Sequence, residues 1–199
     1  GPIRDLIEDV RGRLVALGVP CHLTWDDTKT KANLFATFGP TDRPGVVLSG
    51  HTDVVPVEGQ EWSHDPFEVV LRDGKLFGRG TADMKAFLAV PIAMAETIAS
   101  RELKRPLHLA LSYDEEIGCV GVRRMLAELS GYAALPAACV VGEPTDMGVV
   151  TGHKGSLVLR CHVRGQAGHS SRPEEAVNAI EAGAQLIAEA RRIADRLMA

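Results

Sequence analysis

Cysteine is sparse and scattered. The 199 residues hold four, Cys21, Cys119, Cys139 and Cys161, and no two of them form a Cys-x-x-Cys pair. That spacing argues against a cysteine zinc knuckle and for a reducing, cytoplasmic setting. No apolar run approaches the roughly 20 residues that a membrane-spanning helix needs, so no membrane partner is expected. The opening residues, Gly-Pro-Ile-Arg-Asp, carry no signal-peptide pattern. Positive charge is not in excess: the formal net charge is -4, so nucleic acid is not an expected partner and bound cations could offset part of the negative charge. There is no Gly-Lys-Ser/Thr phosphate loop and no Gly-x-Ser-x-Gly elbow. Gly78-x-Gly80-x-x-Asp83 places an acid where the pyrophosphate of a dinucleotide would be repelled.

What is present supports a buried core. Charged residues make up 24% and aliphatic residues are plentiful, which counts against disorder. Ile3, Leu6, Ile7, Val10, Leu14 and Leu17 recur at helical spacing and predict a helix over 2–17, stopped at Gly18. Short apolar runs predict strands at 21–25, 33–38, 46–49, 107–112 and 137–141. Asp73-Gly74 marks a hairpin turn. Residues 84–99, apolar almost all round, read as a well-buried helix, and 121–129 as another. Strands alternating with helices imply an α/β fold, a mostly parallel sheet with helices on both faces.

The pattern changes after residue 154. Leu157, Leu159, Cys161 and Val163 alternate with more polar neighbours, as in an antiparallel strand with one wet face. Ser171 and Glu174 have capping-box spacing, and a helix to about Leu197 is expected after them. The reading is a metal-binding catalytic domain over 1–154, and the beginning of a smaller α+β lid or dimerisation domain over 155–199, with the boundary near His153 to Ser156.

Ligands of such sheets gather at the carboxyl ends of the strands. His51, Glu115, Glu116 and Glu143 all fall there, and Asp53 and Asp83 stand close by in sequence. A histidine among several carboxylates is a donor set for a metal ion. His22, His64, His108 and His162 read as having no part in chemistry. Cys119 reads as a small buried residue, and Lys154 and Arg172 as solvated charges.

Gly50-His51-Thr52-Asp53, Gly78-Arg-Gly80-Thr-Ala-Asp83-Met-Lys85, Asp114-Glu115-Glu116-Ile-Gly118 and Gly142-Glu143-Pro144-Thr145 resemble the motifs of the two-zinc amidohydrolases. That family includes acetylornithine deacetylase, succinyl-diaminopimelate desuccinylase, aminoacylases and dipeptidases. Tyr113 to Cys119 and Gly152-His-Lys-Gly155 are most similar to the acetylornithine deacetylases within it. The resemblance implies hydrolysis of an N-acyl amino acid, with N-acetyl-L-ornithine, a substrate of arginine biosynthesis, ahead of the other acyl amino acids. It implies two Zn2+ per full-length subunit, with Co2+ able to substitute. Asp83 would bridge the two ions, His51 and Glu143 would complete one set of ligands, and Glu116 would bind the other ion. Asp53 would hydrogen-bond the free ring nitrogen of His51. Glu115 would be the general base. His169 would stabilise the oxyanion, reaching the site from the partner of a homodimer formed through the second domain. A cis bond after Asp83 is implied as well. The family carries one more metal-binding histidine, and its first helix and strand, outside what these residues match. The sequence therefore reads as part of a chain about twice as long, and the rival reading is a catalytically inactive fragment.

Overall fold

The computed structural model describes residues 2–155 and 158–198. The chain divides into two compact units, 1–149 and 150–199. In the first unit, α1 (Pro2–Ala16) precedes β1 (Cys21–Trp25), β2 (Ala32–Phe38) and β3 (Val46–His51). A hairpin follows, β4 (Val70–Arg72) and β5 (Lys75–Phe77), turning at Asp73 and Gly74 with φ of 52° and 72°. Two positive φ values in succession are what a tight hairpin turn requires, and Asp-Gly tolerates them. Then come α2 (Ala86–Ala93), α3 (Ala95–Ala99), β6 (Leu107–Ser112), α4 (Val120–Glu128) and β7 (Ala138–Val141).

The sheet runs β1-β2-β6-β3-β7. β6, β3 and β7 are parallel, and β1 and β2 form an antiparallel flank. β2 is buried at all seven positions, as a strand covered on both faces must be. Alternate residues face opposite sides. Leu34, Ala36, Phe38, Leu109 and Leu111 pack with Ile7, Val10 and Leu14 of α1 and with Leu88 and Ala95. Phe35, Val47 and Ala110 pack with Met125 and Leu129 on the other face. The α/β reading with helices on both faces therefore holds.

Three expectations are corrected. The helix expected over 84–99 is divided: Thr81–Lys85 form a kinked turn in which Asp83 and Met84 leave helical φ/ψ, and α2 and α3 part at Met94. Pro91 lies inside α2 and has no N–H to contribute to its ladder. Nor is the segment buried all round, since Val90 and Met94 are about half exposed. One side faces the sheet, and among the described residues nothing covers the other. In the second unit, residues 158–163 form no strand. Leu157, and Ser156 at the expected boundary, lie outside the described residues. A strand with one wet face still needs a neighbour to pair with, and among the described residues the second unit offers only an isolated bridge between Gln166 and Val177. The last helix, α5 (Ala179–Met198), starts later than the Ser171–Glu174 spacing suggested. Its N-terminus is capped by Asn178, whose Oδ1 accepts the Ile180 N–H at 3.0 Å, while Pro173–Glu175 make a separate short 3-10 turn.

Candidate metal centre

Segments leaving the carboxyl edge of the parallel strands build the site. His51 is the last residue of β3 and pairs with Ser112, the last of β6; Glu115 and Glu116 follow β6. Glu143 follows β7, and Asp83 sits in the turn before α2. Close approach of α2 depends on two glycines. A Cβ at Gly50 would lie 2.8 Å from both Leu88 Cδ2 and Met84 Cε, and one at Gly142 would lie 2.0 Å from Phe87 Cγ. The Asp83–Met84 bond is cis, as the resemblance implied.

His51 is 2% exposed, and its main-chain N–H donates to Met84 Sδ at 3.3 Å. Its Nδ1 lies 3.0 Å from the main-chain oxygen of Asp53 and 3.5 Å from the Asp53 carboxylate. Both neighbours are acceptors, so Nδ1 carries the proton. The nearer partner is the backbone carbonyl rather than the carboxylate that was expected. The Asp53 carboxylate does something else: Oδ2 accepts the main-chain N–H of Glu116 at 3.1 Å and ties the loop after β3 to the loop after β6. Nε2 of His51 then faces carboxylates, with Asp83 at 3.0 Å, Glu143 at 3.8 Å and Glu115 at 3.9 Å.

The electrostatics follow from this crowding. The Asp53 hydrogen bond, against the effect of burial, pushes His51 up to about 9. Glu116 and Glu143 are raised above the ordinary carboxylate value, by burial first and by the charge of Asp83 next. Asp53 is pushed up by burial, yet its hydrogen bonds to His51 and to backbone N–H groups outweigh that and leave it lowered. Burial lowers Lys85. Among the described residues, potential ligand atoms lie within 4.8 Å of one another in two groups, His51 with Asp83 and Glu143, and His51 with Glu115 and Glu116. The first is the set that the resemblance gives to one ion. The second sets Glu116 with His51 and Glu115, and the charge of Asp83 also acts on Glu116. An imidazole nitrogen aimed at several carboxylates fits a divalent cation, because such an ion accepts both donor types and offsets the repulsion among the acids.

Two neighbours of the site, Lys31 and Cys119, were not legible as site residues. Lys31 Nζ holds the Asp114 carboxylate at 2.6 Å. Cys119, expected to be buried, is exposed, and its Sγ donates to Glu115 Oε1 at 3.4 Å. His169 lies in the second unit, exposed, with Nδ1 2.8 Å from Ser171 Oγ.

The sequence model of peptidase family M20/M25/M40 matches residues 47–198. The chain belongs to that family. Among M20 relatives, the acetylornithine deacetylase of Proteus mirabilis (strain HI4320) is 40% identical over 171 residues, 86% of this chain and 43% of that protein. The acetylornithine deacetylase of Shigella sonnei (strain Ss046) is 41% identical over 154 residues, 77% of this chain and 39% of that protein. The chain thus spans about two fifths of the length of these curated relatives. Human carnosine dipeptidase 1 shares the fold with a TM-score of 0.59 at 22% identity, over 70% of this chain and 32% of that one. A tripeptidase of Staphylococcus aureus shares it with a TM-score of 0.59 at 19% identity, over 92% of this chain and 50% of that one.

Proposed function

We propose that this chain carries the metal-binding residues of a metal-dependent amidohydrolase that cleaves N-acyl amino acids, N-acetyl-L-ornithine foremost, releasing L-ornithine and acetate. The observation that carries this reading is the convergence of Asp83, Glu115 and Glu143 on one ring nitrogen of the buried His51. Identity of about 40% to bacterial acetylornithine deacetylases supports the choice of substrate over the succinyl-diaminopimelate, aminoacyl and dipeptide alternatives. Arginine biosynthesis in the cytoplasm is the setting that goes with it.

His51, Asp83 and Glu143 would hold one ion, and Glu116 would take part in holding a second. Two bound ions, zinc with cobalt as a substitute, would polarise the amide carbonyl and lower the pKa of a water molecule towards neutrality. Glu115 acts as general base: it takes a proton from the attacking water and returns it to the leaving amine. Asp53 keeps the His51 tautomer and the Glu116 loop in place through its two sets of contacts. His169 would donate to the oxyanion from the second unit of a partner subunit in a homodimer.

The test is to assay the full-length protein against N-acetyl-ornithine and N-succinyl-diaminopimelate, with metal removed and restored. Faster hydrolysis of N-acetyl-ornithine, abolished by chelation and regained with zinc or cobalt, is expected. Metal-loaded protein that hydrolyses neither these nor any other N-acyl amino acid would overturn the proposal.

A further inference from the structure

We propose that Cys119 is a positioning residue for Glu115: its thiol holds one carboxylate oxygen and leaves the other facing the cleft. This rests on the general-base role proposed for Glu115. Asp114, Glu115 and Glu116 leave β6 in succession, and each is restrained by a different partner. Lys31 holds the Asp114 carboxylate at 2.6 Å. Asp53 accepts the Glu116 N–H at 3.1 Å. Glu115 has Oε1 at 3.4 Å from Cys119 Sγ and Oε2 at 3.9 Å from His51 Nε2, so its two oxygens point to separate places. Among the described residues, Cys119 is the hydrogen-bond donor that reaches this carboxylate.

The backbone is built to deliver the thiol there. Gly118 and Cys119 both donate their N–H groups to the Glu115 carbonyl at 2.9 Å. Both adopt positive φ, 106° and 55°, and fold the chain back on residue 115. Arg123 Nη2 holds the Gly118 carbonyl at 3.2 Å. A left-handed conformation at a non-glycine residue is uncommon and persists where its surroundings enforce it. A thiol is a weak donor, so it can orient the glutamate and still let it swing between water and leaving amine.

The test uses Cys119→Ala and Cys119→Ser in the full-length, metal-loaded protein. The alanine variant should lose about three- to tenfold in kcat, the scale of one hydrogen bond, with KM and metal content unchanged, and serine should restore most of the loss. Independently of turnover, the Cys119 S–H stretching band, isolated in the infrared by subtracting the Cys119→Ala spectrum, should move to higher frequency when Glu115→Ala removes the acceptor. Unchanged kcat in Cys119→Ala, an equal loss in Cys119→Ser, or a band indifferent to Glu115→Ala would each overturn the proposal. If the protein hydrolyses no N-acyl amino acid, the proposed function fails, and the infrared comparison alone decides whether the thiol holds Glu115.

Discussion

Asp53 touches both His51 and the backbone of Glu116, so one side chain governs two of the expected ligands. Asp53→Ala should therefore weaken metal binding about 10- to 100-fold, measured by competition with a chromophoric chelator. Glu115 has a different duty. In the full-length protein, Glu115→Gln should retain metal by elemental analysis while turnover falls by about 10²-fold or more. Away from the cleft, His108 is 0% exposed, with Nδ1 3.0 Å from Thr37 Oγ1, and burial lowers its pKa. The sign of the consequence is fixed by linkage. Above the unfolded value of 6.5 both states are neutral and the stability is fully present. As pH falls below that value the unfolded chain takes up the proton first, and stability is lost through the depressed folded pKa. Denaturant midpoints followed through this window should fall less steeply in His108→Phe than in the parent. Equal slopes would show that His108 takes no part.

At the scale of elements, the fit of α2 against the sheet is the point most open to disturbance. Gly142→Ala would place a methyl group in the Phe87 ring. The cost should be about 1–3 kcal/mol by urea denaturation, partly relieved by Phe87→Leu. This contact could not be read from the sequence, because a glycine next to a glutamate motif looks like any loop residue until α2 lies over it. The strands were legible for the opposite reason. β2 and β6 are short apolar runs in which either face finds a helix, so local composition and tertiary burial agree. Most of the site was legible through its motifs, since position at a strand end predicts position at the sheet edge. Cys119 was misread because burial of cysteine is only a tendency, whereas its exposure here follows from a left-handed turn that its own letter does not announce. The start of α5 was misread because two capping signals compete, and Asn178 prevails over Ser171. The strand expected after residue 154 depends on a pairing partner, and periodicity says nothing about that.

At the scale of the whole molecule, clustered acids and a cation are linked through stability. Whatever binds the folded site and not the unfolded chain raises the free energy of unfolding, by about 2.7 kcal/mol when the ion stands at 100 times its Kd, and the unfolding temperature with it. Zinc should therefore raise the melting temperature of these 199 residues, and a chelator should reverse the gain. Titration should resolve unequal affinities, tighter at His51, Asp83 and Glu143 than beside Glu116; two equal, tight sites would contradict this. β7 has a consequence of another kind. It ends the sheet order, it is exposed at all four positions, and Val140 and Val141 are about half exposed. An open, β-branched margin of this sort is a template for strand addition between molecules. At raised concentration these residues should self-associate into thioflavin-binding fibrils seeded at β7. A single Val141→Lys gatekeeper should lengthen the lag of that growth without lowering the melting temperature.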